Sequence, residues 1–282
     1  FNMKLAKLAH EKGIPVVSYI APSAWAWHKS RAKNVAKIVD KVASIFPFEY
    51  DVYKEAGANV EFVGHPLVDI VKPKMTEAEA NTFAGKQDDR KLILIMPGSR
   101  LMEIEKMLPT LLEAAKLIKK QLPEVDFVMP RAGSIPLQML EEKIKASGIS
   151  VKITEGNNYD LFSVADLALA TSGTVTLEAA LCGLGSVIVY RTNPLTYFIA
   201  KLVVNIPHIG LPNIVAGKSV LPELIQDDFT PEKVAKEAMS LLERERNAKM
   251  KEDLAYVKER LGKPGAVGRV AELVLKIAGE KK

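Results

Sequence analysis

Two segments constrain this chain more than any others: Met96-Pro-Gly-Ser-Arg100, and Thr171-Ser-Gly-Thr174 followed by Leu177-Glu-Ala-Ala180. Each follows a short apolar run and opens a helical pattern, so each predicts a strand, a tight small-residue turn and a helix. Units of that kind in succession build parallel sheet. A turn at a helix N-terminus leaves backbone N–H groups free, and the helix dipole adds to their field, so such turns attract anions, phosphates above all. Gly98 and Ser99 leave the first backbone accessible, and Arg100 can fork onto phosphate oxygens. Ser172, Gly173 and Thr174 form the second turn. Glu178 falls one helical turn after Thr174 on the same face, where a carboxylate suits the paired hydroxyls of a ribose. A lone Pro-Gly-Ser is usually only a turn, and a lone Ser-Gly-Thr only a helix cap. The pair, within one apparent domain, points to a nucleotide-sugar site.

The same alternation runs through the rest of the chain. Residues 2–11 predict a helix, 14–20 a strand, 31–39 a helix, 42–46 a strand, 50–56 a helix and 60–63 a strand, a first α/β series over residues 1–70. Residues 71–90 are polar with few large apolar side chains and read as a linker. A second series fills 91–250, with strands at 92–96, 126–129, 151–153, 167–170 and 186–190 and helices between most of them. Five parallel strands with helices on both faces make a doubly wound domain, whose ligand lies beyond the carboxyl ends of the strands. The tail from 231 to 278 reads as helix, broken near Gly262-Lys-Pro-Gly265. A length of 282 residues accommodates two such domains.

Composition narrows the chemistry. Cys182 is the single cysteine, which excludes a disulfide framework and makes a reducing cytosol the natural compartment. The net charge of +5 does not imply nucleic acid. Lys29, Arg31, Lys33, Lys37 and Lys41 nevertheless crowd one stretch, either a solvated helix face or an attraction to an anionic membrane or a phosphorylated acceptor. The most apolar stretch, 164–190, is punctuated by charges and glycines and reads as strand, helix and strand rather than a membrane span. No cluster of His, Cys or Asp has metal-ligand spacing, so no metal and no cofactor is expected. A P-loop lysine motif and a Gly-x-Ser-x-Gly elbow are absent, which counts against kinase and hydrolase chemistry.

Three loops follow strands of the first series: Pro22-Ser-Ala-Trp-Ala-Trp27, Phe46-Pro-Phe-Glu49 and Gly64-His-Pro66. The tryptophans read as a packed loop or as a wall for a sugar or acyl chain, and His65 alone as structural. In the stretch 191–204, Tyr197, Phe198 and Leu202 can share a helix face, which reads as core or as membrane contact. Leu211-Pro-Asn-Ile-Val-Ala-Gly217 reads as a loop with Asn213 as a positioned amide.

These motifs, together with Phe62-Val-Gly-His-Pro66, Pro97-Gly-Ser-Arg100, Tyr190-Arg191, Leu211-Pro-Asn213 and Lys263-Pro-Gly265, resemble the lipid-A-disaccharide synthases, in family order over nearly the whole chain. The resemblance implies an α/β fold of GT-B type: two Rossmann-like domains facing across a cleft, the first incomplete, with helices of 251–282 returning to it. It implies an inverting hexosyltransferase that joins UDP-2,3-diacylglucosamine to 2,3-diacylglucosamine 1-phosphate, giving the lipid A disaccharide 1-phosphate and UDP. Departure of the diphosphate is then aided by backbone N–H groups, a helix dipole and cationic side chains rather than by a metal. Implied roles are catalytic for Arg100 and Asn213, UDP-sugar binding for Gly98, Ser99, Arg100, Ser172, Gly173, Thr174, Glu178 and Arg191, and acceptor-side for Trp25, Glu49 and His65. Implied location is cytoplasmic, peripheral on the inner face of the bacterial inner membrane; a homodimer stays open. Of the family's Asp-x-Pro-Asp-Phe-Asn motif only Phe1-Asn2 stands here, so the chain as given is expected to be inactive alone. Two alternatives stand beside this reading: an epimerase-like enzyme of UDP-N-acetylglucosamine, and an inactive membrane-associated fragment.

Overall fold

The computed structural model describes residues 1–23, 29–87, 89–203 and 206–280. The chain divides into two compact units. The first comprises Phe1–Ile70, Phe198–Ile206 and Lys258–Lys282; the second comprises Val71–Tyr197 and Pro207–Val257.

In the first unit, β1 (Val17–Tyr19), β2 (Lys41–Ser44) and β3 (Val60–Phe62) pair in that order as a parallel sheet. The helix Pro47–Glu55 starts with proline, whose fixed φ suits a first helical position and whose missing N–H costs nothing there. Ala32, Val35, Val42 and Tyr53 are buried together. The Tyr53 hydroxyl donates to the Pro22 carbonyl at 2.7 Å, which satisfies the one polar atom this ring carries into the core. The C-terminal helix Ala266–Glu280 is tied to the same unit. The N–H groups of Gly265 and Ala266 donate to the Asp69 carboxylate at 2.7 and 3.1 Å, and the Arg269 guanidinium donates to the Val63 carbonyl at 2.8 Å.

The second unit holds a six-stranded sheet in which every pairing is parallel. Its strands are β4 (Lys91–Met96), β5 (Val125–Arg131), β6 (Lys152–Glu155), β7 (Leu167–Thr171), β8 (Ser186–Tyr190) and β9 (Glu223–Ile225), in the order β6-β5-β4-β7-β8-β9. β4 and β7 are buried nearly end to end, as strands covered on both faces must be. Leu92, Leu94 and Met96 alternate onto one face, against Ala168, Ala170 and Phe162. The long helix Leu101–Gln121 buries Ile104, Leu108, Leu111, Ala115 and Ile118 at helical spacing.

Four expectations need correction. The expected linker carries a helix, Glu77–Ala84, started by a Thr76–Glu79 capping box and burying Ala80 and Ala84 in the core of the second unit. The sheet has six strands rather than five; β9 is a three-residue edge strand too short for a periodic signal. The expected loop at 211–217 is the helix Leu211–Ala216, with Pro212 in its first turn and Gly217 left-handed at its end. The tail breaks at Glu243 as well, between the helices Pro231–Leu242 and Arg244–Arg260.

Candidate functional site

The chain order of the second sheet reverses between β4 and β7. From β4 the strands run outward through β5 to β6; from β7 they run the other way through β8 to β9. At such a switch point the connections leave to opposite faces and open a crevice at the carboxyl ends. The register sets both turns level there, because Met96 pairs beside Ala170, and the next residues are Pro97 and Thr171. A cavity of about 370 Å³ fills the crevice. It is lined by Gly98, Ser99, Arg100 and Glu103 from one side, by Ser172, Gly173, Thr174 and Glu178 from the other, and by Pro130, Asn158 and Thr171. Seven residues assigned to a UDP-sugar from sequence therefore converge on one pocket.

The two turns differ in one respect that sequence reading missed. At the helix Thr174–Leu181 the N-cap is Gly173, with no side-chain cap. The turn is fixed from behind: the Ser172 N–H donates to the Val189 carbonyl at 3.0 Å and its hydroxyl to the Ile209 carbonyl at 2.9 Å. At the helix Leu101–Gln121 the end is already capped. Glu103 Oε2 accepts from the N–H groups of Ser99 and Arg100 at 2.9 and 3.2 Å, and Oε1 accepts from Arg100 Nη1 at 2.5 Å. The backbone donors expected to be free at the first turn thus serve an internal carboxylate. The Arg100-x-x-Glu103 spacing of a capping box was the available signal. Gly98 has φ +117°, and a Cβ there would lie 2.5 Å from Glu103 Oε2, so this turn and its carboxylate together require glycine.

Glu178 is half-buried, and that burial raises its carboxyl pKa. Thr171, also unremarked in the sequence, is 3% exposed; its Oγ1 has no hydrogen-bond partner, and the residue lines the pocket.

Two residues with implied roles lie elsewhere. The Arg191 guanidinium donates to the carbonyls of Phe229 and Gln226 and sits over the Phe229 ring at 4.9 Å, outside the cavity lining. Asn213 is fully buried. Its Oδ1 accepts from the N–H groups of Val220 and Leu221, each at 2.8 Å, and its Nδ2 donates to the Leu221 carbonyl at 2.8 Å and to Glu223 Oε1 at 2.7 Å. All four of its amide positions are satisfied inside the protein. It reaches the pocket only through Glu223, which also accepts from the N–H groups of Ile209 and Gly210 at 2.9 Å, beside the carbonyl that receives Ser172.

In the first unit Glu49 is buried and accepts from the Ile45 N–H at 3.3 Å. His65 is buried against Phe46, its Nδ1 accepts from the Leu67 N–H at 3.1 Å, and burial lowers its pKa to about 4. The ring is therefore neutral at pH 7 with its proton on Nε2. Trp25 and its loop lie outside the described residues. Arg31, Lys33 and Lys37 are exposed, whereas Lys41 pairs with Glu61 at 3.2 Å. Among the described residues, no helix is long and apolar enough to cross a membrane, and no group of three His, Cys, Asp or Glu is placed to hold a metal ion.

Comparison with known proteins agrees with this geometry. Among solved structures, UDP-GlcNAc 2-epimerase from Neisseria meningitidis, bound to UDP-GlcNAc, is similar with a TM-score of 0.65 at 17% identity, over 97% of this chain and 73% of that one. S. aureus MnaA, solved with UDP, is similar with a TM-score of 0.67 at 16% identity, over 94% and 70%. At those identities the likeness establishes the fold, which these neighbours share with glycosyltransferases of GT-B type. In sequence, the lipid-A-disaccharide synthases of Geobacter metallireducens and Geobacter sulfurreducens are each 42% identical over the whole chain, which spans 74% and 73% of their lengths. The model of the lipid-A-disaccharide synthetase family matches residues 1–276. The chain belongs to that family, and its role is that of a glycosyltransferase in lipid A biosynthesis.

Proposed function

We propose that the cavity at the ends of β4 and β7 holds the UDP of a UDP-2,3-diacylglucosamine donor. The sugar is transferred to 2,3-diacylglucosamine 1-phosphate with inversion. The acceptor hydroxyl oxygen bonds to the anomeric carbon, the bond from that carbon to the diphosphate oxygen breaks, and the hydroxyl proton passes to a base. The observation that carries this reading is the uncapped N-terminus of the helix Thr174–Leu181, with Arg100 and Glu178 lining the same cavity. The helix end and the guanidinium supply positive charge where the diphosphate gathers negative charge as it leaves. Glu178, one turn into that helix, accepts from the ribose hydroxyls. Thr171 offers its unpartnered hydroxyl to the nucleotide. That two proteins of the same fold were solved with UDP or UDP-GlcNAc supports the assignment.

Both substrates carry acyl chains, so the reading places the protein at a lipid surface, on the inner face of the inner membrane. Exposed Arg31, Lys33 and Lys37 supply charge for that contact, and Leu195 and Phe198, 67% and 62% exposed, supply apolar area. The assignment is tested by calorimetric titration of the chain with UDP and with inorganic pyrophosphate. Glu178→Ala weakens UDP and leaves pyrophosphate unchanged. Equal losses for the two ligands overturn the ribose role of Glu178.

A further inference from the structure

We infer that Glu103 is a positioning residue for the donor diphosphate, acting through Arg100; this rests on reading the cavity as the UDP site. A carboxylate beside a diphosphate is at first sight misplaced, since like charges weaken binding. The geometry gives it a use. One oxygen, Oε2, closes the backbone donors of Ser99 and Arg100; the other, Oε1, holds Arg100 Nη1 at 2.5 Å. A guanidinium carries five donors in a planar fork, so holding one leaves the others for a ligand while restricting the swing of a long side chain.

The Glu103 side chain is 17% exposed and that of Arg100 79%, so the carboxylate is the fixed partner and the guanidinium the held one. The turn bearing them is anchored from a second side, because the Ser134 hydroxyl donates to the Ser99 carbonyl at 2.9 Å. The two turns therefore divide the work. The second offers an open helix end, and the first offers a held cation on a turn whose Ser99 and Arg100 N–H groups are already occupied. A free Arg100 loses side-chain entropy each time it binds; a tethered one has lost part of it beforehand.

The test is a double-mutant cycle on the chain, read by calorimetry with UDP and with uridine, which lacks the diphosphate. Glu103→Gln keeps an oxygen for the two N–H groups and loses the attraction for the guanidinium. It weakens UDP by roughly three- to tenfold, the range of one largely exposed charge-assisted contact, and leaves uridine and the thermal midpoint unchanged. Arg100→Ala weakens UDP at least as much, and the double variant is no weaker than Arg100→Ala alone. If Glu103→Gln lowers the midpoint, the cycle is repeated with Glu103→Asp, which keeps the charge but withdraws it by one methylene and gives the same non-additive pattern.

UDP binding unchanged or tightened by Glu103→Gln overturns the inference, as do fully additive losses in the cycle. A parent chain that binds no UDP, or an Arg100→Ala variant that binds it like the parent, instead overturns the nucleotide-site reading and the inference with it.

Discussion

Replacing Asn213 by alanine should unfold the second unit at a lower temperature rather than silence a catalytic group. The side chain is fully buried and makes four hydrogen bonds. Alanine leaves the N–H groups of Val220 and Leu221 and the Leu221 carbonyl without partners in a space water does not enter. Each buried orphan costs ~1–3 kcal/mol. Glu223 keeps its bonds to Ile209 and Gly210 and loses only one donor, so its share is smaller. Relaxation of residues 217–222 recovers part, and about 3–5 kcal/mol remains, near the upper end for single substitutions. For a unit of this size ~2–4 °C of midpoint is lost per kcal/mol, so thermal unfolding followed by circular dichroism should show a fall of about 10 °C. Ser172 keeps its own bond to Ile209, so UDP affinity measured well below the midpoint should change about threefold or less, under 1 kcal/mol. A variant that melts within a degree or two of the parent while losing most of its UDP affinity would refute this reasoning and return the amide to the ligand.

Glu178 carries a carboxyl pKa raised by burial; the folded state then holds its proton to higher pH than the unfolded state, and stability falls as pH rises through that window. Glu178→Gln should therefore raise the midpoint at pH 7 and lose that advantage at pH values below the ordinary carboxylate range, which parallel melts at the two pH values will show; a lower midpoint at pH 7 contradicts the sign. His65 is the converse, with a folded pKa lowered to about 4: its contribution is complete above the ordinary imidazole value and is lost as pH falls toward 4. His65→Asn should flatten the acid limb of stability between pH 6.5 and 4, and an unchanged acid limb refutes the assignment. Gly98→Ala should weaken UDP by about tenfold or more, because its Cβ displaces Glu103 from a backbone with φ +117°; unchanged calorimetry would show that the turn tolerates another shape. Binding to anionic vesicles should weaken with salt without vanishing, since each basic residue near the surface contributes about 1 kcal/mol. Leu195→Ser with Phe198→Ser should then remove the salt-resistant fraction, and vesicle binding like the parent's dismisses that helix as the contact.

What was legible in the sequence was whatever repeats a period or needs a special backbone. The strands β4 and β7 announced themselves as uninterrupted apolar runs, and the turns after them by small residues at a strand-to-helix junction. β9 escaped because three half-buried residues at a sheet edge carry no period. The helix Leu211–Ala216 escaped because a proline and a glycine five positions apart serve equally as loop punctuation, although proline in a first turn and glycine after a last turn is how a short helix is bounded. Asn213 stands out in the sequence as a positioned amide, and the partners it has are Val220, Leu221 and Glu223. An amide that holds a backbone turn and one that holds a ligand have the same local sequence, and only burial separates them. Arg191 poses a related difficulty: a guanidinium donates as readily to backbone carbonyls, here those of Gln226 and Phe229, as to phosphate.

The hardest thing to read was adjacency. Nothing local says that a turn at residue 98 and one at residue 172 share a pocket, because β5 and β6 intervene in the chain. Adjacency follows from handedness. Successive right-handed crossovers carry the sheet outward from β4 through β5 to β6, and the chain must return to the free edge of β4 before it can extend the other way. That return makes β7 the neighbour of β4, and it sends the helices after the two strands, Leu101–Gln121 and Thr174–Leu181, to opposite faces with both N-termini at one crevice. Two equal helix ends lining one crevice would bring two positive fields into conflict whenever the crevice is empty. The structure resolves this by filling one end from within, with Glu103, and leaving the other open. The asymmetry is thus a consequence of the fold, and under the proposed function it would orient an incoming nucleotide, with the anion at the helix of Glu178 and the cation that meets it from the helix of Glu103.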